Sequence, residues 1–283
     1  MTAGDLPSFD LVVATVDRAD ELRTLVGSLE RQTHRAFRVV VVDQNEDDRV
    51  AKVLAGSELD TLRLKAERGL ARARNAALPH LGADVVAFPD DDCIYPDDLL
   101  ERVARRLAAE PSVDGLTGRS ADANGRSTPS WEPDPAALTR DNLWNRAISY
   151  TIFLRAPIVA RVGAFDEQLG LGAGTSWSSG EEIDYLVRAI DIGARIEYDP
   201  TLVVIHHPEA RPARAVGSRD GASIGYLLRK HRYPLTTVTR MLVRPAGGAL
   251  VALARRDRGR ARFHASTFRG RLLGYRHAPA DGK

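Results

Sequence analysis

Three consecutive aspartates, Asp90, Asp91 and Asp92, directly follow an apolar segment of the chain. Adjacent carboxylates repel one another unless a cation or a set of hydrogen-bond donors compensates their charge. Hard divalent ions such as Mg²⁺ and Mn²⁺ prefer oxygen ligands and often share them between protein carboxylates and substrate phosphates. The triplet therefore fits a metal site that holds a diphosphate, and it also fits a solvated acidic turn in front of the next helix.

A second acidic cluster, Glu181, Glu182 and Asp184, lies where a loop passes into a helix. One interpretation is a general base, a carboxylate that takes a proton from an acceptor hydroxyl within hydrogen-bond reach. The other is local: acids in a first helical turn are favoured by the helix dipole, and Ser178 or Ser179 could cap the helix. The residues alone leave both interpretations open.

Two histidines, His206 and His207, follow the apolar run TLVVI near residue 205. An isolated exposed histidine usually has no special role. An imidazole at a strand end close to an acidic cluster could instead complete the ligands of a metal.

Alternating strands and helices must position these groups. Apolar, β-branched runs predict strands at FDLVVATV, FRVVVVD, LRLKAE and ADVVAFPDDD, with helices between them and an amphipathic helix over residues 97–110. This order predicts a mostly parallel α/β sheet flanked by helices, in which ligands bind beyond the carboxyl ends of the strands. The polar groups at those ends are Thr15, Asp17, Arg18, Asp43, Gln44, Asn45 and the three aspartates.

The later part of the body is less regular. Residues 120–145 are polar with scattered Gly and Pro, which predicts a loop. A strand and a short helix are expected within residues 148–167, a mobile active-site loop at LGLGAGTSWSSG, a helix over residues 180–193 and a last strand ending at the histidines.

Composition limits the class of protein. With 283 residues, 43% of them hydrophobic and 28% charged, the chain suits a soluble globular protein of one large domain, with or without an appendage. A single cysteine, Cys93, excludes an internal disulfide and favours a reducing, cytoplasmic compartment. Neither a signal peptide at the N-terminus nor a spanning helix is expected.

Charge divides the chain into an acidic body and a basic tail. Residues 1–210 carry 23 Lys and Arg against 35 Asp and Glu, whereas residues 211–283 carry 17 against 3. We expect a catalytic domain over residues 1–210 and a basic helical extension over residues 211–283. The tail could meet an anionic membrane surface or pack on the acidic body; nucleic acid is not expected, because no reader motif accompanies the arginines. Pro245 and the pair Gly247-Gly248 predict two short helices rather than one long helix there.

Taken together, the segments resemble the family 2 glycosyltransferases, which have the GT-A fold. The resemblance covers about residues 8–210 and rests on motifs in the family's order. These are the turn at residues 15–18, SLERQT, VVVVDQNEDDR, GLARARN, FPDDD, GAFDE, GEEIDYLVRAIDIG and a late strand ending in histidine.

The resemblance implies roles for individual residues. Asp90 and Asp92 match the two carboxylates of the D-x-D motif, one toward the ribose and one on the metal, with Asp91 between them at the metal–diphosphate site. Asp43 matches the acid that contacts the nucleobase edge, and Arg74 the arginine near the base and the diphosphate. The first nucleotide-contacting turn contains Thr15, Asp17 and Arg18.

For the base and the late metal ligand the resemblance leaves a choice. The family's base is usually the second acid of a Glu-Asp pair, a position that is Glu182 here, with Glu181 and Asp184 as alternatives. The family's metal-binding histidine corresponds to His206 or His207. Side chains alternate along a strand, so both cannot point to the same side, and we favour His206.

The implied activity is inverting transfer of a sugar, of the hexosyltransferase type, from a nucleoside-diphosphate-sugar to a hydroxyl acceptor with Mn²⁺ or Mg²⁺. A UDP- or dTDP-sugar donor and a glycan or lipid-linked glycan acceptor are favoured, in bacterial cell-surface polysaccharide or glycolipid biosynthesis, at the inner face of the membrane. A nucleotidyltransferase would need a glycine-rich phosphate loop after the first strand, and ATVDRADEL has no glycine. A catalytically silent binding module is disfavoured by the intact acidic and histidine positions.

Overall fold

A computed structural model describes residues 6–128, 130–206 and 213–277. Contacts divide the chain into two compact units. The first contains the described residues of Met1–Arg68, Arg72–Phe165 and Tyr185–Pro208, and the second those of Gly69–Ala71, Asp166–Asp184 and Glu209–Lys283. The division into residues 1–210 and 211–283 stays a prediction, because these units follow contacts and not independent folding.

Among the described residues of the first unit, nine strands form one sheet. The strands are β1 (Phe9–Thr15), β2 (Phe37–Asp43), β3 (Thr61–Lys65), β4 (Val85–Ala87), β5 (Cys93–Ile94), β6 (Gly115–Ala121), β7 (Ala136–Ala137), β8 (Ile152–Arg155) and β9 (Ile196–His206). The helices in the described part of the chain are α1 (Ala19–Glu30), α2 (Arg49–Leu54), α3 (Leu70–Ala77), α4 (Leu99–Ala109), α5 (Ala156–Val162), α6 (Glu181–Asp191), α7 (Ala213–Lys230), α8 (Leu235–Ala254) and α9 (Arg258–His277).

The centre of the sheet follows from unbroken apolar runs. The four valines of β2, residues 39–42, are fully buried on both faces, which is why they do not alternate with polar residues. On α1, Leu22, Leu25 and Leu29 recur at helical spacing and are each 0% exposed. Burying one such side chain contributes roughly 1.5–3 kcal/mol, so a few turns of matched pattern fix the helix on the sheet.

The strand order is β3-β2-β1-β4-β8-β6-β9-β5, with β7 beside β9. The GT-A fold class is confirmed. Parallel pairing joins β1, β2, β3 and β4 and also joins β6 to β9, so the expectation of a parallel sheet holds for these pairs. Strand β8 is antiparallel to β4 and β6, and β5 and β7 are antiparallel to β9. Two-residue strands such as β5 and β7 are too short to leave a periodic signal in the sequence.

Residues 115–145 also differ from the sequence prediction. Strand β6 was not predicted, and the expected loop over residues 120–145 contains the end of β6, the strand β7 and a 3₁₀ turn at Leu143–Asn145. The register of β6 against β9 shifts between Thr117 and Arg119. At that shift Gly118 lies so close to the Leu202 carbonyl that no side chain fits. Glycines weaken the apolar pattern of a strand, which is why β6 was not predicted.

In the second unit, α7 and α9 approach each other at backbone distance. Gly221 and Gly225 on α7 face the backbone of α9, and Gly270 and Gly274 on α9 face the backbone of α7. A Cβ atom at Gly221 would lie 2.7 Å from the Thr267 carbonyl oxygen. Glycines cost helix stability in isolation, so their presence here indicates that close helix packing repays that cost.

Helix α8 runs unbroken through Pro245, so the expectation of two short helices around this point was wrong. Proline lacks the N–H that would bond to the carbonyl of Met241, four residues earlier. The Arg271 guanidinium of α9 donates a hydrogen bond to that carbonyl and replaces the missing donor. Among the residues that the structure describes, no helix is both long and apolar enough to cross a membrane.

Candidate active site

Pairing of β5 with β9 brings the aspartate triplet to the late histidine. Cys93, directly after the triplet, lies opposite His206 in the antiparallel register. One ligand atom from each of Asp90, Asp92 and His206 lies within 4.8 Å of the other two. Ligands of one octahedral ion stand roughly 3–4 Å apart, so these three side chains fit a divalent metal with little movement. Two carboxylate oxygens and an imidazole nitrogen also suit Mn²⁺ chemically.

His206 is oriented by its neighbours. Its ring stacks on Tyr150, with 4.8 Å between ring centroids and an interplanar angle of 2°. Its Nε2 atom lies 3.1 Å from Asp92 Oδ1. Burial alone would lower the pKa of His206, but the hydrogen bond and charge of Asp92 raise it above its ordinary value. The sequence alternative, His207, lies outside the described residues.

Arg18 compensates the charge of the triplet. Its Nη1 atom lies 2.6 Å from Asp92 Oδ2 and 3.2 Å from Asp91 Oδ1. Asp91 is only 6% exposed and does not belong to the three-residue metal cluster. Burial raises the pKa of Asp91 to about 6, although the Arg18 guanidinium acts in the opposite direction. The three aspartates are therefore not equivalent: Asp90 and Asp92 belong to the metal cluster, whereas Asp91 is buried outside it, and Arg18 contacts both Asp91 and Asp92.

Arg74 lies beneath Asp90. It is 2% exposed, and its Nη2 atom is 3.3 Å from Asp90 Oδ1. The guanidinium also lies 5.4 Å from the ring centre of Phe165. Ser149 donates a second hydrogen bond, of 3.1 Å, to the same Asp90 oxygen. This environment supports a role in holding Asp90, while direct contact of Arg74 with a nucleotide remains a prediction.

Asp43 is fully buried at the end of β2. Its Oδ2 atom accepts from Arg63 at 2.7 Å and from Lys65 at 2.8 Å, and its Oδ1 atom accepts from the amide N–H and side chain of Asn45. Burial alone would raise the pKa of Asp43, but these hydrogen bonds lower it overall. Asp43 is thus an anion that holds Arg63, Lys65 and Asn45 at the strand ends. Contact of its carboxylate with a nucleobase edge would require one of these hydrogen bonds to break.

The turn after β1 is strained at one residue. Asp17 has a φ of 60°, a left-handed conformation that non-glycine residues seldom adopt. Its N–H donates to Asn45 Oδ1 at 2.7 Å, and its carboxylate accepts from Arg68 at 2.8 Å. Thr15 precedes it as the last residue of β1, and Arg18 follows it. The three predicted residues of the first turn therefore lie together at the strand ends.

The second acidic cluster lies at the start of α6, and its members differ in exposure. Asp184 is 0% exposed and accepts from Lys230 Nζ at 2.6 Å, with His231 Nε2 at 2.9 Å. Glu181 is 4% exposed, whereas Glu182 is half-buried. A base must reach an acceptor hydroxyl, so exposure favours Glu182 among the three.

Several residues at these sites were not singled out from the sequence. Arg63 and Lys65 alternate with leucines in LRLK, a pattern that could have shown two basic side chains on one face of β3. Ser149, Tyr150, Lys230 and His231 carry no comparable signal. Their contacts join segments that are distant in sequence.

The sheet order, the D-x-D cluster and the late histidine define a glycosyltransferase of the GT-A class. The model of "Glycosyl transferase family 2" matches residues 10–164, more than half of the chain, and the protein belongs to this family. The matched region contains the aspartate triplet, whereas the segment with Glu182 and the strand end with His206 lie beyond it.

Curated relatives are glycosyltransferases. The chain is 29% identical over 228 residues to the pre-mycofactocin glycosyltransferase of Mycobacterium tuberculosis, with 69% of this chain and 42% of the relative covered. It is 22% identical over 224 residues to the glycosyltransferase AglE of Haloferax volcanii, with 75% and 69% covered. The chain thus spans less than half the length of the mycobacterial relative.

Solved structures share the fold at low sequence identity. The mannosyltransferase PcManGT from Pyrobaculum calidifontis, in complex with GDP-Man and Mn²⁺, has a TM-score of 0.64 and 17% identity, covering 95% of this chain and 87% of that one. Residues 1–349 of S. aureus TarS in complex with UDP-GlcNAc have a TM-score of 0.61 and 18% identity, covering 93% and 91%.

Proposed function

We propose that the protein transfers a sugar from a nucleoside-diphosphate-sugar to a hydroxyl acceptor with inversion at the anomeric carbon. The meeting of Asp90, Asp92 and His206 within 4.8 Å carries this proposal. It is supported by the nucleotide-sugars bound to fold neighbours, GDP-Man in one and UDP-GlcNAc in another. A UDP- or dTDP-sugar is our favoured donor.

Asp90, Asp92 and His206 hold Mn²⁺ or Mg²⁺ in this proposal. When bound, the metal supplies positive charge that stabilises the departing diphosphate. Arg18 contacts the carboxylates of Asp91 and Asp92 and adds a fixed positive charge beside the proposed metal ligands. The remaining nucleotide contacts fall to Thr15, Asp17, Asp43, Asp91 and Arg74.

In this proposal Glu182 is the general base, with Glu181 and Asp184 as the alternative candidates. Its carboxylate takes the proton of the acceptor hydroxyl, the acceptor oxygen forms the new bond to the anomeric carbon, and the bond to the diphosphate oxygen breaks. Asp184 is the weaker candidate, because Lys230 and His231 already engage its buried carboxylate.

A donor screen tests this function. UDP-, dTDP- and GDP-sugars are incubated with the protein and Mn²⁺ or Mg²⁺, and released nucleoside diphosphate is measured with and without EDTA. We expect release from at least one donor only when the divalent ion is present. Pyrophosphate release from a nucleoside triphosphate and a sugar phosphate would instead indicate a nucleotidyltransferase. Donor binding without any turnover, even with acceptors, would indicate a silent binding module.

For its location we propose the cytoplasmic face of the membrane, where a glycan or lipid-linked acceptor of cell-surface biosynthesis would be presented. The support is the surface of α8. Leu235, Val243, Leu250 and Leu253 are 73%, 59%, 69% and 59% exposed. Their spacing places all four on one side of the helix. Residues 211–283 carry 17 basic against 3 acidic side chains, so apolar insertion and attraction to anionic headgroups act together.

A further inference from the structure

One lysine at the end of α7 contacts both ends of the glycine-rich loop LGLGAGTSWSSG, residues 169–180. Lys230 Nζ lies 2.6 Å from Asp166 Oδ2, just before the loop, and 2.6 Å from Asp184 Oδ1, in the first turn of α6 after it. His231, the next residue, places Nε2 2.9 Å from the same Asp184 oxygen. The end of α7 therefore fixes where the loop begins and where the helix bearing Glu182 starts.

Two contacts from earlier positions of α7 hold the end of the loop. The Ser179 N–H donates to Ser223 Oγ at 3.2 Å. The Trp177 ring stacks on Tyr226, with 4.9 Å between centroids and 25° between planes. Hydrogen-bonding and aromatic contacts from one helix thus converge on residues 177–179, shortly before α6 begins.

Gly180 completes this attachment. It has a φ of 87°, and a Cβ atom there would lie 2.8 Å from Leu227 Cδ1 on α7. A side chain at this position would meet both backbone strain and a steric contact. The residue that precedes α6 is therefore set directly against α7.

The charges of Lys230, Asp166 and Asp184 compensate one another inside the protein. Asp184 is 0% exposed, and a buried carboxylate is costly unless it is paired and hydrogen-bonded. Burial alone would lower the pKa of Lys230, but Asp184 and Asp166 raise it above its ordinary value, so the ammonium stays charged at neutral pH. Both ends of the loop are thus tied to a permanent positive charge.

We propose that Lys230 and His231 are positioning residues for glycosyl transfer, holding the first turn of α6, and with it Glu182, through Asp184. The end of α7, within the basic C-terminal extension, then helps to position the catalytic base. This inference rests on the proposed role of Glu182 as the base. Small displacements of a catalytic group cost large factors in rate, so loosening this anchor should slow turnover more than it weakens donor binding.

Three variants test the proposal in the full-length protein. Lys230→Met removes the charge, Lys230→Arg keeps it, and Lys52→Met removes one lysine charge from an exposed position of α2 as the matched control. We expect Lys230→Met to lower kcat at least about tenfold with the donor KM changed less than about twofold. Lys230→Arg should recover most of the rate, and Lys52→Met should match the wild type. A wild-type kcat for Lys230→Met would overturn the proposal.

A double-variant cycle separates positioning from a general effect on the protein. If Lys230 acts through Glu182, Lys230→Met should cause little further loss of kcat in a Glu182→Gln background. An equal fold-loss in both backgrounds would overturn the proposal. Full activity of Glu182→Gln alone would remove Glu182 as the base and this inference with it. An inactive Glu182→Gln beside a fully active Lys230→Met would overturn only the inference.

Lys230→Met alone could fail to fold, because it leaves the buried Asp184 carboxylate without its ammonium partner. A double variant that removes both charges tests positioning without this problem. The pair Asp184→Asn with Lys230→Met leaves no charge at the fully buried position 184, and the Asp166 side chain, 22% exposed, still reaches water. Its melting temperature should therefore lie close to that of the wild type. We expect this pair to fold and to remain slow, because the anchor of α6 is lost. Wild-type turnover by this pair would show that Lys230 only neutralises Asp184, and would overturn the positioning role.

Discussion

The Asp92 carboxylate and the His206 imidazole lie 3.1 Å apart, between Oδ1 and Nε2, although they come from distant parts of the sequence. The pairing of β5 with β9 creates this contact, since Cys93 and His206 are register partners. The other Asp92 oxygen faces Arg18 at 2.6 Å. Asp92 therefore lies between a guanidinium and an imidazole. Its carboxylate is the anionic oxygen ligand that a divalent metal at this site would need.

Asp92→Asn should abolish turnover, because an amide oxygen is a much weaker ligand for a hard cation than a carboxylate. Nucleoside-diphosphate release is measured at saturating Mn²⁺, and circular dichroism checks the fold. Asp97→Asn is the control, since its partner is an exposed arginine and surface ion pairs contribute little. An active Asp92→Asn variant, or full wild-type turnover in EDTA, would contradict the proposed site.

Glu182→Gln should lower kcat about a hundredfold or more, the loss expected when general-base assistance is removed. Donor affinity should change little, because the donor contacts are assigned to other residues. Transfer to the acceptor is followed beside equilibrium binding of the donor. Glu181→Gln provides the comparison, and a dead Glu181→Gln beside a normal Glu182→Gln would show that the base is the preceding residue.

Arg271→Met should destabilise the protein mainly when Pro245 is present. The guanidinium replaces the N–H that proline cannot offer to the Met241 carbonyl, and a lost hydrogen bond costs roughly 1–2 kcal/mol. Pro245→Ala restores an N–H to that carbonyl, so Arg271→Met should cost less in that background. The free energy of unfolding of the four proteins gives the coupling. Additive losses would mean that Arg271 does not satisfy this carbonyl.

Glutamine at both Leu250 and Leu253 should weaken attachment to anionic liposomes by about tenfold, because two apolar side chains no longer enter the headgroup boundary. Co-sedimentation is measured with anionic and neutral lipids at low and high salt, and binding should fall as salt rises. Leu171→Gln changes an exposed leucine outside the C-terminal helices and serves as control. Equal sedimentation with neutral lipids, or no effect of the double substitution, would refute membrane attachment through α8.

The sequence predicted those strands and helices that carry strong apolar patterns. Strands β1 and β2 and helices α1 and α4 are marked by runs such as Val39–Val42 and by leucines at helical spacing, and they lie close to where the pattern places them. Strand β6 was missed because its glycines weaken the apolar signal where they permit a close approach to Leu202. The course of α8 through Pro245 depends on Arg271, a partner that no local pattern reveals.

The candidate site divides in the same way. The residues alone left the role of the triplet open, and the resemblance to the family singled out Asp90, Asp92 and His206, whose ligand atoms the structure brings within 4.8 Å of one another. Their supports were not evident, since the contacts of Ser149 with Asp90 and of Tyr150 with His206 depend on long-range pairing. Lys230 is the furthest such case, a tail residue whose partner Asp184 lies in the catalytic segment.

Mn²⁺ binding to the His206→Ala variant tests the metal site most directly. Bound Mn²⁺ is measured by electron paramagnetic resonance with and without UDP, in the wild type, in His206→Ala and in His80→Ala, which removes an exposed histidine elsewhere. If Asp90, Asp92 and His206 form the site, the wild type and His80→Ala should bind Mn²⁺ more tightly with UDP. His206→Ala should lose affinity by about tenfold or more. Equal Mn²⁺ binding by all three proteins would contradict the site on which the proposed glycosyl transfer depends.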